Sequence, residues 1–275
     1  MKHVVVAAVL TVLSVPTHGQ IRESRSSAYL FLTAGSDVRA AWVNPAGLVS
    51  VSEASIMGEI VVGRVPNEDV HFDQYTVGFN SRGFSIAYQR DRFSDAPSNN
   101  ILRLSTGLPF SRGSIGVAAS WYGVEGPNRR DVDLGMIFRP TTMTALGLTL
   151  RHIGRPDLAG TQQPLVVDGG AGLALFGGRI FAAGEATAVE QLDDSGWDLS
   201  YQTGAYVLIP TARPISIITV VDFDSDFKLA RLNVGFAIGG RNSVTAVGTL
   251  VDGINGVDFD RVSVTGVASN VLGGR

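Results

Sequence analysis

The chain has 275 residues, a formal net charge of −3 and a charged fraction of 17%. It contains no cysteine, which excludes disulfide frameworks, cysteine-ligated metal centres and thiol nucleophiles. The hydrophobic content of 45% excludes a disordered chain, and the slightly acidic balance argues against a general nucleic-acid-binding protein.

Residues 1–20 have the composition of a secretory signal peptide. A short basic start precedes the apolar run Val4–Val15, and the small residues Thr17 and Gly19 occupy positions −3 and −1 of a cleavage site. The alternative is a membrane anchor, but this run is shorter than the ~20 residues that a spanning helix needs. We therefore expect a signal peptide and a mature chain that starts near Gln20 or Ile21.

Residues 21–52 do not alternate cleanly and contain the run Trp42-Val43-Asn44-Pro45-Ala46-Gly47-Leu48. The proline biases Asn44 toward an extended conformation, from which the asparagine side chain can cap a short helix with Pro45 in its first turn. Taken by itself, such a run is typical of an ordinary surface turn. Its position directly ahead of a long series of strands favours a more specific role for Trp42, Asn44, Pro45, Ala46 and Gly47.

From residue 53 onward, apolar residues alternate with small or polar residues at period two, which is typical of strands with two different faces. On the apolar face, we expect Leu104, Val117, Leu134 and Leu148 to point outward near mid-membrane. Most segments have about the length that a tilted strand needs to cross a bilayer. The pattern predicts fourteen strands at 53–63, 72–80, 84–93, 100–109, 114–122, 131–139, 143–152, 165–176, 179–189, 198–209, 214–222, 228–239, 242–251 and 259–269.

The connections between these strands alternate between longer and shorter. Short periplasmic turns and longer outer loops are typical of a transmembrane β-barrel. The alternative is a secreted soluble β-sandwich or barrel, whose strands also alternate. The second face here is rich in Gly, Ser, Thr and Ala instead of charges, which favours an all-β, antiparallel membrane barrel. Aromatic residues assigned to its two interfaces are Tyr75, Trp121, Tyr122 and Trp197.

Fourteen strands predict a bore wider than that of an eight-stranded barrel, which side chains fill, and narrower than that of a sixteen-stranded channel. Such a bore leaks unless it is plugged, and we expect residues 21–52 to form the plug and residues 53–275 the barrel. Charges that face a lumen must be hydrated or paired. We expect the inward charges to pair with one another and with the plug; they are Arg103, Asp133, Arg139, Arg151, Asp168, Glu185 and Arg231.

Catalytic and metal-binding signatures are weak. A hydrolase needs a nucleophile, a base and an orienting group, and the mature chain offers only His71 and His152, both expected at solvated loop edges. The acidic run Asp222–Asp226 lacks the glycine and glutamate of a calcium loop. The sequence therefore predicts no enzyme, no metal site and no cofactor.

The chain resembles the FadL-like superfamily of outer-membrane barrels, which includes the long-chain fatty-acid transporters and shorter barrels related to the secretion-associated protein PorV. The similarity lies in the Trp42–Leu48 run ahead of repeated hairpins, and in the run Leu146–Pro156, where His152 replaces the asparagine of the shorter members. The resemblance implies a fourteen-stranded barrel in the outer membrane of a Gram-negative bacterium, with an N-terminal plug that carries the Asn-Pro-Ala element.

Two functions are open at this stage. The first is passive transport of small hydrophobic molecules by a barrel surrounded by outer-membrane lipid. The second is a non-transporting barrel that anchors or shuttles partner proteins in a surface or secretion assembly. The chain lacks the long outer loops of the fatty-acid transporters and a terminal aromatic residue, which weakens the transport interpretation. An apolar cavity against the plug favours the first function, and a dry, packed lumen favours the second.

Overall fold

The computed structural model describes residues 24–49, 54–63, 70–92, 98–123, 128–158, 161–192, 196–240, 242–251 and 261–270. The predicted signal peptide, residues 1–20, lies outside the described residues. Within these ranges, no helix has the length and apolar character needed to cross a membrane.

Within the described residues, fourteen antiparallel strands close into one barrel, in which each strand pairs with its neighbours along the chain and the last pairs with the first. They are β1 (Ala54–Gly63), β2 (His71–Ser81), β3 (Phe84–Asp91), β4 (Asn99–Phe110), β5 (Gly113–Tyr122), β6 (Arg130–Phe138), β7 (Thr144–Arg151), β8 (Val166–Leu175), β9 (Ile180–Glu190), β10 (Trp197–Ile209), β11 (Ile215–Phe223), β12 (Leu229–Gly239), β13 (Asn242–Val251) and β14 (Arg261–Asn270). A two-residue ribbon, Asp157–Leu158 with Thr161–Gln162, lies in the connection between β7 and β8. The predicted fold class, an antiparallel β-barrel of fourteen strands, is confirmed. The sequence could predict it because the alternation of the two faces marks each strand locally.

The two faces of the barrel wall differ in polarity. Along β6, Val132 and Leu134 are exposed, whereas Asp131 and Asp133, which alternate with them, are buried. The outward prediction is confirmed for Val117, Leu134 and Leu148, and Leu104 lies on the same face because its neighbour Arg103 is buried. Exposed apolar residues continue around the wall, among them Ile60, Val77, Leu102, Ile217, Phe236 and Val264. An apolar exterior around a polar interior is the surface of a barrel that spans a lipid bilayer.

One residue assigned to the aromatic interfaces faces the other way. Tyr122 is buried, and its hydroxyl donates to Asp131 at 3.2 Å, so this side chain lies in the lumen. Successive residues of a strand point to opposite faces, so Tyr122 cannot share the outer face with Trp121. Tyr75, Trp121 and Trp197 are exposed on the outer face.

Residues 24–49, here called the N-terminal segment, lie inside the barrel. They form three short helical turns, Arg25–Ala28, Ala40–Val43 and Pro45–Val49. The last turn packs against β4, β5 and β6, and residues 40–48 are all buried. The segment therefore occupies the bore that fourteen strands leave open.

The assignment of the lipid-facing side of the barrel wall can be tested directly. We expect Leu134→Arg to lower the free energy of unfolding by about 2–4 kcal/mol, because an arginine near the bilayer midplane is poorly solvated. Met143→Arg, in the exposed short turn before β7, should cost about 0–1 kcal/mol. Equilibrium unfolding in lipid vesicles measures both values, and equal costs would contradict the assigned lipid face.

Candidate functional site

Asn44 joins the N-terminal segment to the barrel wall. Its backbone is extended, with φ −154° and ψ 106°, as the following Pro45 requires. The side-chain amide donates to the carbonyl oxygens of Leu32 at 3.2 Å and of Met136 on β6 at 3.1 Å. The amide oxygen accepts from the backbone N–H of Ala46 at 3.1 Å. One buried side chain thus links two turns of the segment and one strand.

Glycines of the wall make room for this asparagine and proline. A Cβ atom at Gly135 would lie 2.1 Å from Asn44 Oδ1, and a Cβ at Gly116 would lie 2.3 Å from the carbonyl carbon of Pro45. The two glycines are directly paired across β5 and β6. The sequence analysis did not single them out, although glycines at inward positions of two neighbouring strands are a sequence signal for close backbone approach.

Ala46 and Gly47 also contact their surroundings closely. The hydroxyl of Ser114 donates to the carbonyl oxygen of Ala46 at 2.7 Å. A Cβ at Gly47 would lie 2.3 Å from the carbonyl oxygen of Gly35, so only glycine fits where the segment folds against itself. The Asn-Pro-Ala-Gly run is therefore in contact with the wall on one side and with the rest of the segment on the other.

Arg103 of β4 is the centre of a buried charge network beside the segment. Its Nε donates to the carbonyl oxygen of Ala41 at 2.6 Å, one terminal nitrogen donates to Ser120 Oγ at 2.8 Å, and the other pairs with Asp133. The guanidinium also lies 5.4 Å from the ring centroid of Trp42, within cation–π range. A buried arginine is stable only when its donors and its charge are satisfied, and here the segment supplies part of that satisfaction.

His152 extends this network, and the expectation of a solvated loop edge was wrong for this residue. Its Nδ1 lies 2.5 Å from Asp131 Oδ2, and its backbone N–H donates to Asp133 Oδ1 at 3.0 Å. The fold brings both carboxylates to the point where β7 ends, which the sequence pattern could not reveal. His152 has φ +60°, a left-handed conformation that asparagine adopts more readily than most residues.

Asp131, Asp133 and His152 are the one group of possible metal ligands in the described part of the chain, with ligand atoms within 4.8 Å of one another. Their carboxylates already accept from other groups: Asp133 from Arg103 and Asp131 from Tyr122. The guanidinium beside Asp133 also repels a cation. The arrangement therefore works as a hydrogen-bonded ion-pair network.

Arg151 and Asp168 form a second ion pair inside the barrel. Arg151 donates from Nε at 2.8 Å and from a terminal nitrogen at 2.9 Å to the two carboxylate oxygens. The hydroxyls of Thr149 and Thr187 donate to the same carboxylate at 2.7 and 2.8 Å. This bidentate geometry satisfies both charges within the wall.

The three other predicted lumen charges differ in their surroundings. Glu185 accepts from the backbone N–H of Leu32 at 2.5 Å, so it holds the segment. Arg231 is half-exposed, with Nε 3.5 Å from Asp222. Arg139 was predicted within a strand but lies one residue beyond β6, in the short turn toward β7. Proline at the next position restricts the residue before it and ends the strand there.

Glu59 of β1 is a buried acid that the sequence analysis missed. It accepts from the hydroxyl of Tyr29 at 3.1 Å and from that of Thr265 at 2.7 Å. Burial, and next the nearby Glu59, raises the pKa of Tyr29 to about 12, so this hydroxyl stays a donor. The sequence did contain a signal for this buried acid, because Glu59 occupies an inward position of an alternating strand.

A cavity of about 1000 Å³ remains in the lumen between the segment and the longer connections. Its floor includes the apolar residues Leu30, Leu32, Trp42 and Val43 of the segment. Its walls include the ion pairs Arg151–Asp168, Arg231–Asp222 and Arg261–Asp73. This volume suits a small organic molecule.

No family model and no curated protein sequence matches the chain. Solved structures of similar fold include the CymD monoaromatic hydrocarbon channel, with a TM-score of 0.53 and 9% identity over 89% of this chain and 97% of that chain. They also include the TodX deltaS2S3 mutant monoaromatic hydrocarbon channel, with a TM-score of 0.54 and 9% identity over 88% of this chain and 97% of that chain. At this identity the similarity establishes the barrel fold, as the FadL-like resemblance implies.

The close approach of Asn44 to Gly135 allows a test of whether Asn44 holds the N-terminal segment in the bore. Gly135→Ala should destabilise the protein by about 1–3 kcal/mol, because the new methyl group overlaps Asn44. The variant should also show raised, intermittent ion conductance in planar bilayers. Gly58→Ala is the control, since a Cβ there meets nothing within 4 Å. Identical conductance in the two variants would show that Asn44 does not hold the bore shut.

The buried ion pair predicts a second contrast. Arg103→Met leaves Asp133 buried without its cation and should lower the free energy of unfolding by about 3–5 kcal/mol. Arg231→Met removes a half-exposed partner of Asp222 and should cost about 0–1 kcal/mol. Denaturant unfolding in vesicles measures both changes in the free energy of unfolding. A small change for Arg103→Met would show that the Arg103 network does not hold the segment.

Proposed function

We propose that the protein is an outer-membrane channel for the passive passage of small hydrophobic molecules. The observation that carries this proposal is the cavity of about 1000 Å³, which ends on Leu30, Leu32 and Val43 of the N-terminal segment. The apolar outer face of the barrel supports a position in the membrane. Two of the barrels of similar fold are monoaromatic hydrocarbon channels.

The charged walls of the cavity are compatible with an apolar solute. Arg151 is paired with Asp168 and Arg261 with Asp73, so these two arginines do not require a counter-charge from the solute. The solute is then held by apolar contact at the floor, where Trp42 adds an aromatic surface. Weak contact of this kind suits passage, because a solute that binds weakly is also released.

In this proposal, residues 21–52 are the plug and residues 53–275 are the barrel. Residues 1–20 are a signal peptide that is removed before the protein reaches the outer membrane of a Gram-negative bacterium. The contact from Arg103 to Ala41 and the contacts of Asn44 hold the plug beneath the cavity. Solute that reaches the floor passes further only when the plug shifts away from these partners.

Filling the cavity tests the transport proposal. Ala28 is half-buried on the first helical turn and lines the cavity, so Ala28→Trp places an indole in the solute's space. We expect this variant to lose most of the protein-dependent entry of radiolabelled toluene into intact Gram-negative host cells. The lipopolysaccharide of such cells slows direct permeation, so entry through the protein can be resolved.

The matched control is Ala171→Trp, which adds the same side chain at an exposed position of β8. It should keep the toluene entry of the unmodified protein. Entry that is equal with and without the protein would contradict transport and favour a barrel that anchors partner proteins.

A further inference from the structure

All six short turns between barrel strands carry an arginine. They contain, in chain order, Arg82, Arg112, Arg139, Arg179, Arg213 and Arg241, and no Asp or Glu. These turns alternate with the longer connections around a closed barrel, so they all lie at one end. The four of these arginines that are described and exposed, Arg82, Arg112, Arg179 and Arg213, are here called the arginine ring; Arg241 lies outside the described residues.

All four members of the ring are exposed at the short turns. None of the four forms an ion pair with another residue in the described ranges. The arginines of the lumen differ, because Arg103 and Arg151 are each neutralised by an aspartate. The positive charge of the ring is therefore available to a partner outside the barrel.

The ring lies next to the lipid-facing surface. Exposed apolar residues flank its members closely in the chain; they are Phe84, Phe110, Phe176 and Ile209. The apolar exterior thus extends to the short-turn end of the barrel. The arginines of the ring lie in the turns at the edge of this apolar surface. This is the level at which the headgroups of the surrounding leaflet begin.

The net charge of the connections at the opposite end of the barrel has the other sign. By sequence, the longer connections carry twelve Asp and Glu residues against five Arg and Lys residues, among them Arg92, Arg129 and Arg155. A basic ring in a chain of net charge −3 is therefore a local feature of one end.

We infer that the arginine ring binds the phosphate groups of anionic phospholipids in the leaflet around the short turns. A guanidinium presents paired N–H donors that match the oxygens of a phosphate, and an anionic membrane surface attracts each exposed arginine. The members are spread around the barrel's perimeter, beside the apolar belt, where headgroups already surround them. Separate headgroups can therefore occupy separate turns and hold this end at a constant depth.

The test is the lipid selectivity of the full chain in phosphatidylcholine vesicles. Spin-labelled phosphatidylglycerol and spin-labelled phosphatidylcholine report, by electron spin resonance, which lipid is immobilised at the protein surface. We expect the anionic lipid to be preferred about fivefold, the equivalent of about 1 kcal/mol for an arginine at such a surface. The preference should fall toward unity in about 1 M salt, where the Debye length is about 3 Å.

The variant R82Q/R112Q/R179Q/R213Q should lose this preference, and the corresponding lysine variant should keep part of it because the charge remains. The control variant R92Q/R129Q/R130Q/R155Q removes four exposed arginines from the other end, among them Arg155, which pairs with Glu190, and should keep most of the preference. Heat-modifiable gel migration establishes that each variant is a folded barrel. A ring variant with unchanged selectivity, or a wild type without any, would overturn the lipid assignment and favour an acidic protein as the occupant of the ring.

Discussion

A closed barrel of fourteen strands has a bore that its own side chains do not fill, and the arrangement of the interior follows from this constraint. The filling material is the N-terminal segment, whose short helical turns leave part of its backbone without a partner inside the segment. An unpaired backbone group in a buried place costs about 1–3 kcal/mol, so the wall must supply partners. Arg103 donates to Ala41, Ser114 donates to Ala46, and Glu185 accepts from Leu32.

The polar wall and the apolar exterior are two consequences of the same alternation. Because one face of each strand meets lipid, the ionisable residues must lie on the other face, where they require partners. Arg151 with Asp168 and Glu59 with Tyr29 and Thr265 meet that need within the lumen. Toward the longer connections the segment does not fill the space, and the cavity that carries the proposed function is what remains.

The network around His152 also helps to close the barrel. The paired register of β6 and β7 runs only from Leu134–Leu150 to Phe138–Leu146. Beyond it, the backbone N–H of Ile153 donates to the carbonyl oxygen of Val132 at 3.1 Å, and Asp133 accepts the backbone N–H of His152. Since Asp133 also binds Arg103, the contact that extends the seam between these strands is joined to the contact that holds the segment.

The sequence by itself determined the fourteen strands, their inward and outward faces and the unusual run at residues 42–48, because period-two alternation and proline effects act over a few residues. It placed Asp133, Asp168 and Glu185 on the inner face for the same reason. Only the tertiary structure decided that Gly116 and Gly135 lie against Pro45 and Asn44, that His152 reaches Asp131, and that a cavity remains beside the segment. Such contacts depend on strand register, barrel closure and the path of the segment through the bore, which join residues far apart in the chain and leave no local pattern.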